Sequence, residues 1–226
     1  MNPGTYTENV IINSSIVLAS KYLTTADSTY IDLTIIDANN TGSALTINNS
    51  STNIDLIGFV MKNGNNHNGG GVYINNANIV NLEKVSILSS TSTWDGGGLY
   101  WSNNGSVLSL NSCFINGNNT GSGGCIFVTG LDKLEIYNSV ISNNTVVNDG
   151  GGIYMNSIDT SIISNSVITK NEMGPGRYGP AMRIDGQNGD KHLIFNSIIH
   201  SNTVAYQSHS VSNIFLSSGS MSLYNN

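Results

Sequence analysis

A period of about 27 residues in the middle of the chain constrains its fold more than any other feature of the sequence. The segment 69–73, three glycines followed by Val and Tyr, recurs in closely similar form at 96–100, 123–127 and 150–154. A period of about 20–50 residues is typical of a solenoid, in which each repeat is one structural unit that stacks on its neighbours. The sequence therefore predicts a solenoid.

The residue types of the repeats indicate strands rather than helices. Asn, Ser, Gly and Thr dominate, and these residues favour turns over helix interiors. Short apolar pairs alternate with period 2, as in Val72/Ile74 and Leu134/Ile136, and Gly and Asn clusters bound them. Two or three such strands per unit, without room for a helix, predict one coil of a β-helix.

A second series recurs in phase with the glycines. The Asn-Ser-x-Ile run at 138–141 has counterparts one period away on either side, at 111–114 and 165–168, and the large apolar residue is usually followed by Asn, as in Ile141/Asn144. In-register coils would place residue i about 4.8 Å from its equivalent on the next coil. Aliphatic side chains would then stack inside, aromatic ones outside, and Asn at the corners, where their amides can hydrogen-bond along the column.

These patterns predict an all-β fold, a right-handed, single-stranded parallel β-helix with coils of about 27 residues. Roughly eight coils would be about 35–40 Å long. We expect residues 1–226 to form one domain with opening coils at 1–40, regular coils at 41–171, and irregular coils with longer loops at 172–226.

Within the opening coils, apolar runs predict strands at 10–12, 16–18 and 31–36. In the irregular coils the period lengthens, which indicates loops inserted around 172–180 and 204–210. Inserted loops can carry function in solenoids, but simple drift in loop length is the favoured explanation.

Composition limits the classes of partner. The formal net charge is −6 and the pI is near 4.9, so nucleic acid is not expected as a partner, because it requires clustered Lys and Arg. No apolar stretch is long enough to span a membrane. The first residues lack the features of a signal peptide, and the chain stops within a repeat without a polar capping unit. We expect a fragment of a longer protein, whose bare ends could associate end to end.

No metal or cofactor is predicted, with calcium alone left open. The four histidines fall in different repeats, without the spacing of a metal site. Strand alternation places Cys113 and Cys125 on the outside, where either a disulfide or two free thiols is possible.

The repeats resemble a known group. Gly-Gly-Gly-Ile-Tyr at 150–154, with Asn-Ser-x-Ile-x-x-Asn at 165–171, resembles the right-handed parallel β-helix repeats of large bacterial surface and secreted proteins. The pattern is similar to the chlamydial polymorphic outer-membrane protein repeats, and the segments 3–10 and 34–37 are similar to the first coils of pectate-lyase-like domains. This resemblance covers essentially the whole chain and implies export. The superfamily includes adhesins, passenger domains, polysaccharide lyases and hydrolases, so it does not imply one activity.

One candidate site is an outward column of side chains in the stacked strands. It runs through Thr46, Tyr73, Tyr100, Phe127, Tyr154, Arg183 and Phe215. Stacked aromatic rings could bind the faces of sugars, or they could simply stabilise the sheet as a ladder. The cation of Arg183 would then lie over the ring of Tyr154.

A second candidate is a pair of acids, because Asp95 and Asp149 occupy the same repeat position two coils apart. Their carboxylates would be roughly 9–10 Å apart, at the upper edge of the range for inverting glycoside hydrolysis. Part of a calcium site, or turn residues that bond their own backbone, are the alternatives.

A third candidate is the segment 177–192, which gathers both arginines with Asp, Lys and His. A lyase needs a base with cations nearby, but a decorated loop has the same composition. The glycine triplets are expected to be tight corners rather than phosphate-binding loops. No catalytic residue is assigned.

We therefore predict a non-catalytic module at the cell surface or outside the cell, which acts in adhesion or binds a glycan or a protein. Two alternatives remain. One is a polysaccharide-active enzyme, a lyase or glycoside hydrolase with its site on the irregular loops. The other is a structural spacer or an assembling fibre unit.

Overall fold

The chain is an all-β parallel β-helix, as predicted, with about eight coils of about 27 residues. The computed structural model describes residues 1–49, 52–102, 106–175, 177–205 and 212–225. Four parallel sheets, which we call A, B, C and D, run along the solenoid, and consecutive strands of each sheet come from consecutive coils. From the third coil onward, the chain passes through the sheets in the order A, D, B, C.

The strands described in each sheet are as follows. Sheet A comprises β1 (Gly4–Thr7), β4 (Thr34–Asp37), β7 (Val60–Lys62), β11 (Ser86–Leu88), β15 (Phe114–Asn116), β19 (Val140–Ser142), β23 (Val167–Thr169) and β27 (Ile198–His200). Sheet B comprises β2 (Val10–Ile12), β5 (Leu45–Ile47), β9 (Val72–Asn75), β13 (Leu99–Ser102), β17 (Ile126–Thr129), β21 (Ile153–Asn156), β25 (Met182–Asp185) and β29 (Ile214–Leu216).

Sheet C comprises β3 (Ile16–Ala19), β6 (Asn53–Ile57), β10 (Ile79–Glu83), β14 (Val107–Asn111), β18 (Lys133–Tyr137), β22 (Thr160–Ser164), β26 (Lys191–Phe195) and β30 (Ser220–Tyr224). The short sheet D comprises β8 (Asn65–Asn66), β12 (Thr91–Ser92), β16 (Asn119–Thr120), β20 (Thr145–Val146), β24 (Glu172–Met173) and β28 (Thr203–Val204). A full coil thus has four strands rather than the two or three expected, because the two-residue strands of sheet D are too short to show period 2.

Two single-turn helices interrupt the opening coils, α1 (Tyr22–Thr25) and α2 (Thr29–Asp32). The strand predicted at 31–36 is therefore wrong in its first part, since Ile31 lies in α2 and β4 begins at Thr34. The physical reason is local: Asp27 Oδ1 accepts hydrogen bonds from Thr29 N (2.9 Å) and Thr29 Oγ1 (2.7 Å), which favours a helical turn.

The core is a narrow column of aliphatic side chains in register. Val72 pairs with Leu99, Leu99 with Ile126, and Ile126 with Ile153, and all four side chains are fully buried. The register continues through the lengthened repeats, where Ile153 pairs with Met182. Added residues therefore lie in loops and leave the stacked core intact. The insertion predicted at 204–210 lies largely outside the described residues.

The predicted Asn columns exist, and one of them faces the interior. Asn118, Asn144 and Asn171 are buried at the corner between sheets A and D, and their side-chain amides bond from coil to coil at 2.8–3.1 Å. At the corner before sheet A, Asn138 and Asn165 adopt positive φ of 52° and 49°. Asn tolerates this left-handed conformation better than most residues, which explains its abundance at the turns.

The outward placement of the two cysteines is wrong, because Cys113 and Cys125 are both buried and both free. The strict repeat phase fails here: Phe114 pairs with Val140, one position short of a full period, so Cys113 N bonds to Ser139 Oγ (3.0 Å) in an inward column. Cys113 continues the true alternation of β15, since Phe114 is exposed and Ile115 is buried, whereas Cys125 lies at a corner before β17 where alternation stops and is buried like Ile126. Burial raises the pKa of both thiols to about 12.

Candidate binding surface

The outer surface of sheet B carries the predicted aromatic column in register. Tyr73 pairs with Tyr100, then Phe127, Tyr154 and Arg183, each on the next coil. Thr46 precedes the column and Phe215 follows it. These positions point outward because their neighbours on both sides along the strands are buried in the core, or partly buried in the case of Phe215. We call this surface, with the loops that enter sheet B, the ladder face.

The aromatic rings of the ladder face stack mainly on one another. The rings of Tyr73 and Tyr100 are 5.5 Å apart and inclined by 11°, and those of Tyr100 and Phe127 are 5.4 Å apart and inclined by 5°. Phe127 meets Tyr154 edge to face at 5.1 Å. Because stacked neighbours cover the ring faces, the middle of the column offers mostly ring edges to a ligand. This part of the column stabilises the sheet, as cross-strand aromatic pairs do.

A charged cluster ends the ring stack. The guanidinium of Arg183 lies 5.1 Å from the ring centre of Tyr154 and 5.6 Å from that of Phe215. Its nitrogens bond to Asp149 (2.7 Å) and twice to Asp185 (2.9 Å each). The predicted contact of Arg183 with Tyr154 is thus present, and it is one part of a network that joins three coils.

Tyr154 belongs to the same network, because its hydroxyl donates a hydrogen bond of 2.5 Å to Asp185 Oδ2. Burial, and next the hydrogen bond to Asp185, hold the pKa of Tyr154 well above its usual value. The hydroxyl therefore remains a proton donor at neutral pH, and the guanidinium of Arg183 is held between two carboxylates and two rings.

Asp95 and Asp149, which share one position of the repeat, stabilise loops of the next coil rather than their own turns. Asp95 Oδ1 accepts a hydrogen bond from Gly123 N (2.7 Å), and Asp149 Oδ1 accepts one from Tyr178 N (3.0 Å). Asn68 has the equivalent role one coil earlier, since its Oδ1 accepts from Asp95 N at 3.1 Å. Asn68, Asp95 and Asp149 therefore form a column of side-chain acceptors that holds the loops before sheet B in place.

The two carboxylates differ in charge environment. Asp149 also pairs with Arg183, so both of its oxygens are engaged. Asp95 forms no ion pair with Lys or Arg in the described part of the chain, and burial raises its pKa, although the Gly123 N–H and the Ser122 side chain oppose this rise. The two acids are thus not equivalent: Arg183 neutralises Asp149, whereas Asp95 has no Lys or Arg partner among the described residues.

The sequence analysis missed an exposed aromatic pair beside Asp95. The ring of Trp94 lies 5.1 Å from that of His67, inclined by 41°, and Trp94 is 58% exposed. His67 and Trp94 occupy the same position of consecutive repeats, so the repeat phase could have revealed the pair. Both residues lie in loops, where strand alternation does not predict which way a side chain points.

Gly123 is buried where the loop before sheet B meets the ladder. A Cβ built there would lie 2.7 Å from Tyr154 Cδ1, 3.0 Å from Asp95 Oδ1 and 3.1 Å from the ring of Phe127. No side chain fits at such distances, so the absence of one at Gly123 lets the carboxylate of Asp95 pack close to the two rings. Asp95 is thereby part of the ladder face.

The third candidate region does not converge on a site. Arg177 is exposed, whereas Arg183 lies on the ladder face. His192 lies in β26 of sheet C with 2% exposure, and its Nδ1 is 2.9 Å from Ser161 Oγ inside the core. Asp190 accepts a hydrogen bond from Gln187 N in its own loop. Because β25 and β26 belong to different sheets, their side chains point to different surfaces.

Within the described ranges, no group of three or more His, Cys, Asp or Glu side chains is placed to hold a metal ion. In the same part of the chain, no helix has the length and apolar character needed to cross a membrane. Comparison with protein-family models, with curated protein sequences and with solved structures found no match to this chain.

Proposed function

We propose that this chain is a non-catalytic β-helix module that binds a glycan through the ladder face. The observation that carries the proposal is Trp94, a large aromatic side chain that is 58% exposed and directly precedes Asp95 in the chain. A Trp ring offers a broad apolar surface to a sugar ring, and nearby polar groups fix its orientation. The rigid coils hold these groups in place before a ligand arrives.

The polar surroundings of Trp94 suit hydroxyl-rich ligands. His67 shares the exposed pair, and its Nδ1 is 3.1 Å from Thr93 Oγ1. Asp95 offers a carboxylate that no Lys or Arg of the described residues pairs with. Carboxylate, imidazole and hydroxyl groups can each accept hydrogen bonds from sugar hydroxyls. An aromatic platform with several acceptors at its rim is a general solution for binding a saccharide.

An enzymatic function has weaker support. Asp149, half of the predicted acid pair, is engaged by Arg183 and by the backbone of Tyr178. Neither of its oxygens is left without a hydrogen-bond donor, so its environment is that of a structural carboxylate rather than a base that activates water.

The resemblance of the repeats to those of bacterial surface and secreted proteins supports the placement that we propose with this function, at the cell surface or outside the cell. A glycan-binding rod fits that setting. The closest variant of this proposal is a module that binds a surface protein instead of a glycan. The pectate-lyase-like resemblance of 3–10 and 34–37 supports a carbohydrate ligand and says nothing of catalysis.

Glycan-array binding followed by calorimetry tests the proposal. Trp94→Ala should weaken binding to the recognised glycan by about tenfold or more, as expected for an exposed aromatic anchor. Phe114→Ala is the matched control, because Phe114 is an exposed aromatic residue of sheet A. Equal effects of the two substitutions, or binding to no glycan, would refute glycan binding by the ladder face.

The ladder residues are tested separately because they also stabilise the sheet. Tyr73→Ala removes the first stacked ring and Tyr154→Phe removes only a hydroxyl. Variants that remain folded, as measured by circular dichroism, should bind less tightly if ligand contact extends along the ladder. Unchanged affinity would confine the binding site to Trp94, Asp95 and His67.

A second candidate function, a spacer or assembling fibre unit, has one observation in its favour. Leu223 continues the inward column of Ile194, which is 1% exposed, yet Leu223 itself is 52% exposed. This apolar surface, at an unpaired strand edge, is one on which a coil of a second copy would stack. Sedimentation at rising concentration tests assembly, and a monomer throughout the range would reject it.

A further inference from the structure

We infer that the ladder face selects glycans without acidic groups and prefers sugars that carry a protonated amine, an inference that rests on the proposed function. Its basis is the charge of the surface, which is set by a few residues. Asp95, Asp149 and Asp185 provide three carboxylates on or beside the face, and Arg183 is the cation placed among them. The remaining outward positions of the middle strands are neutral.

The positive charge of Arg183 is already offset by two carboxylates. Its Nε and NH2 groups bond to Asp185, its NH1 group bonds to Asp149, and aromatic rings lie against it at 5.1 and 5.6 Å. An acidic sugar that approached the guanidinium would also approach these carboxylates, which would repel it. A contact with Arg183 would therefore bring an acidic sugar little net gain.

Asp95 supplies the attractive part of the selection. Asp95 follows Trp94 directly in the chain, and its carboxylate packs against Gly123 close to the rings of Phe127 and Tyr154. His67 is the one titratable group of opposite charge that acts on it noticeably, and no Lys or Arg of the described residues pairs with it. A sugar ring on Trp94 would bring its substituents near this carboxylate, where an ammonium group is stabilised and a carboxylate is repelled.

The test compares three oligosaccharides of equal length at about pH 6, where amines and carboxylates are both charged. They are a glucosamine oligomer, an N-acetylglucosamine oligomer and a galacturonate oligomer. We expect the glucosamine oligomer to bind about twofold to fivefold more tightly than its acetylated counterpart at low salt, and the galacturonate oligomer to bind most weakly. Added salt should reduce the first difference, because the carboxylate of Asp95 is only partly buried.

Asp95→Asn should abolish the preference for the amine, so that the glucosamine oligomer and its acetylated counterpart bind with equal affinity to this variant. Asp55→Asn is the matched control, since it removes the same charge from the outer surface of sheet C and should preserve the preference.

The outcomes distinguish the two proposals. If none of these sugars nor any array glycan binds, the proposed function fails. If glycans bind in a Trp94-dependent way but galacturonate binds as tightly as the others, or Asp95→Asn leaves the amine preference intact, the charge selection alone is refuted.

Discussion

Asn144 Nδ2 donates a hydrogen bond of 2.8 Å to Asn171 Oδ1 inside the solenoid, and the same contact recurs between Asn118 and Asn144 at 3.1 Å. Each amide also serves the backbone: Asn144 Oδ1 accepts from Asn118 N (2.9 Å), and Asn144 Nδ2 donates to Ile115 O (3.2 Å). The column therefore satisfies buried backbone groups at a corner where regular strand pairing stops.

Asn144→Leu should consequently destabilise the protein by about 3 kcal/mol, because it leaves a buried N–H and a buried carbonyl without partners. Asn119 follows the column residue Asn118 in the chain but is exposed. Asn119→Ala is therefore the control and should change stability by less than about 0.5 kcal/mol. Urea denaturation measures both. Similar midpoints for the two variants would show that the buried ladder contributes little.

Arg183 should matter for stability as well as for charge. Arg183→Ala leaves Asp149 and Asp185, with side chains only 14% and 22% exposed, without their counter-ion and removes a cation from two aromatic rings. We expect a loss of about 2 kcal/mol. Arg177→Ala removes the same charge from an exposed position and should be close to neutral. Thermal unfolding of the two variants at equal ionic strength separates a specific network from a general charge effect.

The cysteines provide a chemical test of the register. Cys113 and Cys125 are buried, and burial raises the pKa of each thiol to about 12. Neither should react with a thiol-specific reagent at about pH 8 in the folded protein, although both should react in denaturant. Rapid labelling of one or both in the native state would mean that the corner before β15 or β17 faces outward.

The cysteines also show where sequence reasoning reaches its limit. A constant period predicted the fold, the core column and the aromatic column, because sheet B keeps that period from Leu45 to Ile153. Sheet A does not: the step from Ser86 to Phe114 is longer than the period by one position, and the step from Phe114 to Val140 is shorter by one. A shift of one residue moves a side chain to the opposite face of a sheet. The constant period therefore predicted that Cys113 points outward, whereas the side chain points inward.

The candidate site was predictable only in part for a related reason. Tyr100 and Arg183 lie in strands, where period 2 determines which way a side chain points. Trp94, in contrast, lies in a loop. The partners of Asp149 come from the next coil, beyond a lengthened loop, so the ion pair of Asp149 could not be derived from its own repeat. Loop geometry depends on backbone angles and insert lengths that no periodicity specifies.

His192 gives the pH dependence expected of this fold. Its side chain is 2% exposed in the core, with Nδ1 bonded to Ser161 Oγ and Nε2 without a hydrogen-bond partner. Burial lowers the pKa of His192, although the nearby Asp190 acts in the opposite direction. The ring therefore remains neutral in the folded state at a pH where it binds a proton in the unfolded chain. Because the unfolded state then binds more protons, stability should be full above the ordinary histidine pKa of about 6.5 and should fall as the pH drops below it.

The variant that isolates this effect is His192→Met, since Met221 already occupies the same inward column one coil later. We expect the unfolding midpoint of the original protein to decrease between about pH 7 and pH 5 and that of His192→Met to decrease less over the same interval. His200→Gln is the control, because His200 is exposed, and it should retain the pH dependence of the original. Parallel pH profiles for the original protein and His192→Met would show that a histidine other than His192, or the carboxylates, controls acid stability.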